Sequence, residues 1–299
     1  MRTLYSRIKY KYLLYPLVVF FRLFSINKKP LDRPHFFIIG SGRNGSTLLA
    51  TILNAHKDIL IPPEQFILPY AILRRYLFFF WSSERWVNNV KQLFLTNTKT
   101  IKWNLDIGDI VGNNKSISSL FNNIFTKYQK RVKPGSIIWG DKTPLNTNFI
   151  RYIYPEFPKA KYIFLVRDPR DVALSYKKYL GFNFFTFGIW KWQDSVKAYN
   201  FLKKRGDVLL VKYEDLVADP DQEVKRIITY LDLYEDKTSD IEKVSAKQMG
   251  VEDDYHHKNL KKPISTRSVG NWKNKLLEEE KKYFNGDMSA KMQKFGYKS

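Results

Sequence analysis

The sequence predicts an α/β protein with a central parallel sheet flanked by helices. Four short apolar runs have the length and composition of buried strands, and they cover residues 35–39, 137–139, 162–166 and 208–211. Helical patterns lie between these runs, as over residues 47–55, where apolar side chains recur on one helix face. Strands that alternate with helices are typical of a parallel sheet with helices on both of its faces.

The chain of 299 residues is long enough for one large α/β domain with elaborations, or for two small domains. Hydrophobic residues make up 44% of the sequence, which is enough for a substantial core. We interpret residues 35–299 as one domain. Within it, residues 66–130 are rich in aromatic residues and amides and have no strand pattern. We expect them to form a helical insertion that covers the carboxyl edge of the sheet.

Residues 1–34 form a separate, basic and partly apolar N-terminal segment with eight basic residues and one acidic residue. Its apolar run, residues 13–21, contains Pro16 and ends before Arg22, so it is shorter than the ~20 residues that a membrane-spanning helix needs. No small-residue cleavage site follows the run, so the segment is a poor match to a secretory signal. Two interpretations stay open: residues 1–30 lie on an anionic membrane surface, or the segment is a helix that packs on the body of the protein.

The net charge of +22, from 51 Lys and Arg against 29 Asp and Glu, attracts anions such as nucleotides, nucleic acids, acidic lipids or acidic glycans. The sequence has no recognisable RNA- or DNA-binding motif, so we expect no nucleic-acid partner.

The absence of cysteine excludes disulfides, thiolate zinc sites and cysteine nucleophiles. The four histidines form no His-Glu-x-x-His motif, and we predict no metal. These features fit a cytoplasmic protein, either free or peripheral at a membrane.

A glycine-containing loop, Gly40 to Thr47, joins the first predicted strand to the first predicted helix. Backbone N–H groups in such a loop, together with the positive end of the helix dipole, bind phosphate; the alternative is an ordinary glycine-containing turn. The loop matches the pattern G-x-x-x-x-G-K-[ST] except that Ser46 replaces the lysine, which an ATP- or GTP-hydrolysing enzyme needs. We therefore expect a different anionic ligand. The candidate ligands are Gly42, Arg43, Asn44, Gly45, Ser46 and Thr47.

A second candidate phosphate site follows the third predicted strand. Arg167 ends that strand and so lies at the carboxyl edge of the sheet, where open α/β sheets bind ligands. Asp168 and Pro169 are typical of a helix start, and Ser175 lies about two helical turns further along. An arginine and a serine hydroxyl can hold one phosphate together. The alternative is a capped surface helix with its own ion pairs.

Three segments resemble motifs of the sulfotransferases that use 3′-phosphoadenosine-5′-phosphosulfate (PAPS). Residues 43–47 resemble the R/K-x-G-T-T loop, residues 167–175 resemble R-D-P-R-D-V-x-x-S, and residues 140–144 resemble G-[DE]-K-T-P. The resemblance implies the P-loop NTPase-like sulfotransferase fold. It also implies that residues 43–47 hold the 5′-phosphosulfate and that Arg167 and Ser175 bind the 3′-phosphate.

A fourth segment, residues 265–273, resembles the late S-x-G-x-W-K-type segment that closes over the cofactor in this family, which implies that Ser268 contacts the cofactor. Lys57 stands where proline is usual in the turn after the first helix, and this is a minor departure from the family pattern. The resemblance does not cover the N-terminal segment or residues 66–130.

The resemblance also implies the catalytic groups. Lys142 reaches the transferring sulfuryl group in this reading, and Arg43 and Lys142 stabilise its negative charge. Glu64 lies 21 residues after Arg43, which is the spacing of the glutamate base in the tyrosylprotein-type members. Glu64 is therefore our candidate for the base that takes a proton from the acceptor. His56 is the alternative base, and Glu64 would then be a structural loop carboxylate.

The implied function is transfer of a sulfuryl group from PAPS to a hydroxyl or amine acceptor, with release of 3′-phosphoadenosine-5′-phosphate (PAP) and without a metal. The acceptor stays open among glycans, lipids, peptide tyrosines and small alcohols, and we expect residues 66–130 to contain much of the acceptor pocket. Two other interpretations are kept: a P-loop-type kinase, which should have the loop lysine and Mg²⁺ carboxylates, and a non-catalytic protein that binds anionic surfaces or nucleic acid.

Overall fold

The strands form one sheet, as the alternating pattern predicts. The computed structural model describes residues 14–24, 35–110, 116–206, 208–234 and 264–298. The strands are β1 (His35–Ile39), β2 (Ile59–Leu60), β3 (Ile138–Asp141), β4 (Lys161–Val166) and β5 (Val208–Lys212). They lie in the order β2-β3-β1-β4-β5. Every neighbouring pair is parallel, which confirms the predicted parallel sheet.

Helices fill most of the remaining described residues. The first group is α1 (residues 14–23), α2 (Ser46–Ala55), α3 (Leu68–Leu77), α4 (Ser83–Thr96) and α5 (Ile117–Val132). The second is α6 (Pro144–Asn148), α7 (Ile150–Ile153), α8 (Pro169–Leu180), α9 (Phe185–Lys203), α10 (Tyr213–Ala218) and α11 (Pro220–Tyr230). The third is α12 (Trp272–Lys275), α13 (Glu278–Lys281) and α14 (Asp287–Gln293). Short 3₁₀ turns lie at Thr100–Trp103, Tyr154–Glu156, Phe182–Phe184, Thr266–Ser268 and Lys282–Phe284.

Alternate side chains of the central strand enter two separate hydrophobic clusters, one on each face of the sheet. Along β1, Phe37 and Ile39 belong to the cluster that includes residues of α3, α5 and α9. Phe36 and Ile38 belong to the cluster that includes residues of α2 and α11. Because both faces are covered, β1 reads as an unbroken apolar run rather than as an alternating one. Because the strands are parallel, the loops after β1, β3 and β4 all lie at the carboxyl edge of the sheet.

The segment 66–130 contains α3, α4 and α5, and its described residues form no strand. Ile72 of α3 and Phe125 of α5 lie in the same buried cluster as Phe37 of β1. The ring of Phe125 lies 4.2 Å from that of Trp139 in β3, measured between ring centres. The segment therefore adds a helical layer to one face of the sheet. That it also covers the carboxyl edge stays a prediction.

The helix α1 of the N-terminal segment packs on the body of the protein. Val18 is buried in the main hydrophobic cluster, and Tyr15 meets the ring of Tyr152 edge-on at 5.3 Å. The Arg22 guanidinium donates to the carbonyl of Pro155. One face of α1 therefore packs on the body of the protein, as the second interpretation expects, and its other face is exposed.

The remainder of the N-terminal segment, residues 1–13 and 25–34, lies outside the described residues. The expectation of membrane-surface binding through residues 1–30 therefore falls partly on them. Among the helices in the described ranges, none combines the length and the apolar composition needed to cross a bilayer.

Candidate active site

The loop after β1 makes a tight turn directly before α2. Gly42, Arg43 and Gly45 have positive φ angles of 73°, 54° and 91°. Position 45 must be glycine, because a Cβ there would lie 2.3 Å from the ring of Tyr213. Gly45 is also the N-cap residue of α2, so no N-cap side chain takes up the N–H groups of the first turn. These N–H groups and the helix dipole suit an anion.

The loop lines a cavity of about 810 Å³ that also brings together most of the sequence-predicted site residues. The predicted residues on its lining are Gly42, Arg43, Gly45, Ser46, Thr47, Glu64, Arg167, Ser175 and Ser268. Two predicted residues, Asn44 and Lys142, are not on the lining.

Asn44 fixes the loop to the sheet instead of facing the cavity. Its side chain is buried, and its Nδ2 donates to the carbonyl of Leu165 in β4 at 2.6 Å. The backbone N–H of Gly40 donates to Thr147 Oγ1 at 2.9 Å and holds the other end of the loop. The prediction of Asn44 as a ligand can therefore apply only to its backbone.

Glu64 and Lys142 form an ion pair at the edge of the cavity. Lys142 Nζ lies 2.7 Å from Glu64 Oε1 and 3.4 Å from Thr47 Oγ1. The Lys142 side chain is 1% exposed and that of Glu64 is 19% exposed. The ammonium group is thus shielded from water behind a carboxylate that lines the cavity, and both lie next to the phosphate loop.

A buried hydrogen-bond network holds this pair in place. Asp141, the last residue of β3, accepts hydrogen bonds from Gln65 (2.8 Å), Thr143 (2.6 Å) and Asn146 (2.8 Å). Because Gln65 follows Glu64 and Asp141 precedes Lys142, the network joins the two backbone segments that carry the pair. Burial raises the pKa of Asp141, and these three hydrogen bonds oppose that shift. We did not predict this network, although Asp141 lies inside one of the motifs.

Arg43 reaches from the loop to α8. Its Nε donates to Ser175 Oγ at 3.1 Å, and its guanidinium lies 4.5 Å from the centre of the Tyr179 ring. The sequence led us to expect Arg43 beside the reacting group together with Lys142. The structure instead places its guanidinium against Ser175, the predicted ligand of the second phosphate.

Arg167 is held where β4 ends by groups from three segments. Its guanidinium donates to the carbonyls of Arg43 (3.2 Å) and Ser268 (2.5 Å) and lies 4.5 Å from the centre of the Tyr213 ring. Arg167 Nε is buried and has no hydrogen-bond partner among the described residues. Ser268 was predicted as a ligand, and the structure adds a second role for it, because its carbonyl orients Arg167.

Asp171 of α8 fixes the C-terminal segment beside the cavity. Its carboxylate accepts the backbone N–H groups of Gly270 (2.8 Å) and Trp272 (2.9 Å). The neighbouring Arg170 guanidinium lies 3.5 Å from the centre of a Trp272 ring. Burial raises the pKa of Asp171, and Arg167 and the two backbone N–H groups oppose the shift. We gave Asp171 no role from the sequence, because its partners lie about a hundred residues away.

His56 lies away from this arrangement. It is buried, its Nε2 lies 2.9 Å from the carbonyl of Tyr234, and its Nδ1 accepts the backbone N–H of Asp58 at 3.2 Å. It does not line the cavity, so Glu64 stays the candidate base. Across the described ranges, no group of three or more histidine, aspartate and glutamate side chains is arranged to hold a metal ion.

Comparisons with known proteins agree with this geometry. The model of the sulfotransferase family matches residues 34–237. The sulfotransferase domain of the Synechococcus PCC 7002 olefin synthase has a TM-score of 0.64 at 22% identity, and the match covers 92% of this chain and 98% of that domain. This likeness confirms the predicted P-loop NTPase-like sulfotransferase fold.

Two curated relatives are similar in sequence. Protein-tyrosine sulfotransferase A of Caenorhabditis elegans is 26% identical over 258 residues, which cover 82% of this chain and 63% of the relative. The protein-tyrosine sulfotransferase of Drosophila melanogaster is 24% identical over 221 residues, which cover 71% of this chain and 40% of the relative. The chain thus spans less than two thirds of the length of either relative. The family match covers more than half of the chain, and the chain therefore belongs to the sulfotransferase family.

Proposed function

We propose that this chain transfers a sulfuryl group from PAPS to an acceptor hydroxyl and releases PAP. The observation that carries the proposal is the Glu64–Lys142 pair, which lies beside the cavity that also contains Arg167 and Ser175. A carboxylate and an ammonium group 2.7 Å apart can act as base and as stabilising cation in one transfer step.

The residues around the cavity fit a nucleotide with phosphates at two positions. The first turn of α2, with Ser46 and Thr47, suits the 5′-phosphosulfate. Arg167 and Ser175 suit the 3′-phosphate, and Arg43 is placed to share it because it contacts Ser175. The buried Arg167 Nε supports this fit, since it is a donor without a partner among the described residues.

When bound, PAPS supplies an activated sulfuryl group with PAP as its leaving group. Glu64 takes the proton from the acceptor hydroxyl while the new O–S bond forms and the S–O bond to the phosphate of PAP breaks. Lys142 orients the Glu64 carboxylate and would stabilise the negative charge of the transferring sulfuryl group. The network around Asp141 keeps both groups fixed, so little reorganisation is needed during transfer.

A peptide tyrosine is the acceptor class that we propose to test first. The two relatives described above are protein-tyrosine sulfotransferases, and Glu64 has the spacing of the base in that type. The helical segment 66–130 supports an acceptor region near Glu64, because the Trp103 indole N–H donates to the carbonyl of Pro63 at 3.0 Å. Glycans, lipids and small alcohols are the other classes to include.

We expect Arg167→Ala to weaken PAP binding by about 10- to 100-fold, because a hydrogen bond to a charged group contributes about 1.5–3 kcal/mol. Binding of adenosine 5′-phosphosulfate, which lacks the 3′-phosphate, should change much less. Isothermal titration of wild type and variant with both ligands measures the difference.

The matched control is Arg151→Ala, which removes the same charge from an exposed arginine outside the cavity. It should leave both affinities unchanged. If Arg167→Ala weakened the binding of both ligands equally, Arg167 would not bind the 3′-phosphate. ATP and duplex DNA, added as competitors, should fail to displace PAP; displacement by ATP would favour a kinase, and displacement by DNA a nucleic-acid binding protein.

A further inference from the structure

Seven aromatic rings from two distant parts of the chain form a continuous surface, which we name the aromatic ridge. The ridge consists of Phe20, Phe21, Phe24, Phe78, Phe79, Phe80 and Trp81. Its ring centres are 5.0 Å apart for Phe24–Phe20, 5.4 Å for Phe20–Phe21, 4.7 Å for Phe21–Phe79, 5.8 Å for Phe79–Phe80, 6.2 Å for Phe80–Phe78 and 4.5 Å for Phe78–Trp81. The contact between Phe21 and Phe79 joins α1 to the turn after α3.

Most of this ridge is open to solvent. Phe20, Phe24, Phe79 and Phe80 are between 48% and 69% exposed, and Leu17 and Leu23 beside them on α1 are exposed as well. Single exposed apolar side chains are common on soluble proteins. A contiguous group of them marks a surface that binds another apolar phase or partner.

The ridge is also held in a defined position. On the inner face of α1, Val18 is buried in the main cluster and Arg22 bonds to Pro155, so α1 is tied to the body of the protein. In the turn after α3, Trp81 packs against the same cluster. The Arg85 guanidinium lies 4.9 Å from the centre of the Trp81 ring. The exposed rings therefore project from an anchored helix and an anchored turn.

Charge distinguishes the candidate partners. The N-terminal 34 residues, which contain three of the seven rings of the ridge, carry eight basic residues and one acidic residue. Aromatic rings in a strongly basic stretch of sequence match the interface of an anionic bilayer, where rings enter the boundary between headgroups and acyl chains and cations meet lipid phosphates. A second copy of the chain is a poorer match, because two molecules of net charge +22 repel each other.

We propose that the aromatic ridge binds the surface of an anionic lipid bilayer and so makes the protein peripheral to a membrane. The new element is the turn at residues 78–81, which the sequence did not connect with the N-terminal segment. Membrane binding thus needs both parts of the ridge, and basic residues alone do not supply it.

Sedimentation of the full chain with vesicles tests this proposal. We expect binding to vesicles of phosphatidylcholine and phosphatidylserine, weaker binding to phosphatidylcholine alone, and a loss of binding at high salt. Phe20→Ser/Phe24→Ser and Phe79→Ser/Phe80→Ser should each weaken binding about tenfold or more, because each pair removes apolar surface that the bilayer would bury. The melting temperature should stay close to that of the wild type, since the replaced rings are exposed.

The matched control is Ile101→Ser/Ile137→Ser, which removes two apolar side chains of similar exposure, 56% and 62%, away from the ridge. It should bind vesicles like the wild type. The proposal is overturned if the wild type does not bind the anionic vesicles, or if either phenylalanine variant binds them as well as the wild type. It is also overturned if light scattering shows a wild-type dimer that either variant converts to a monomer, because the ridge would then be an interface between copies.

Discussion

Replacing Glu64 by glutamine is expected to lower kcat by about two to four orders of magnitude, because a positioned base contributes about that much to rate. Glutamine keeps the shape of the side chain and an oxygen that can accept from Lys142, but it cannot take a proton. PAP affinity should change little, since the phosphates are assigned to other residues. Single-turnover kinetics with saturating PAPS, together with PAP titration, measure the two effects separately.

Glu223→Gln is the matched control, because Glu223 also pairs with a basic side chain, Arg226, but lies outside the cavity. It should retain the wild-type rate. If Glu64→Gln also retained a near-normal rate in single-turnover conditions, the proton would be taken by another group, and the catalytic assignment of Glu64 would be wrong.

Replacing Lys142 by methionine is expected to lower kcat by about 10²–10³-fold, the usual effect of removing one donor that stabilises transition-state charge. PAPS binding should weaken too, because the ammonium group lies beside Thr47 of the phosphate loop. Methionine has a similar length, so it should fill the buried space that Lys142 leaves. Rates and PAPS affinities of the purified variant provide the measurement.

A double variant, Lys142→Met with Glu64→Gln, tests whether the two residues act together. Because the two side chains contact each other at 2.7 Å, the losses should not add, and the double variant should be little slower than the slower single variant. Additive losses would show that the two residues act independently. Lys191→Met controls for the loss of a buried lysine, since Lys191 is buried against Asn148 outside the cavity.

The central strands were predictable because the pattern that marks them lies within a few consecutive residues. β1 and β4 are buried on both faces, so their sequences are unbroken apolar runs that stand out from the surrounding chain. β2 was missed because it consists of Ile59 and Leu60 alone, and two residues carry no period that could be recognised. The place of segment 66–130 was predicted only in part, since helical patterns do not reveal which face of a sheet they cover.

Arg167 and Glu64 could be proposed from the sequence, Arg167 from its place at the end of a strand and Glu64 from its spacing after Arg43. The structure brings both to the cavity lining, and their roles stay predictions. The residues that hold these ligands were not predictable, because their partners are far away in the sequence. Gln65 bonds to Asp141 across 76 residues, and Asp171 bonds to the C-terminal segment across about a hundred. A carboxylate that braces the site and one that reacts look alike in a sequence, and only their surroundings separate them.

The most direct test of the proposed function is transfer of label from sulfur-labelled PAPS to a defined acceptor. Wild-type protein and Glu64→Gln should be incubated with labelled PAPS and a tyrosine-containing peptide, with a phenylalanine-substituted peptide as control. Glycan, lipid and small-alcohol acceptors belong in parallel reactions. We expect label on the tyrosine peptide, or on one of the other hydroxyl acceptors, with the wild type and a loss of about two orders of magnitude or more with Glu64→Gln. Wild-type protein that binds PAP but leaves all label on PAPS with every acceptor class would contradict the proposed function.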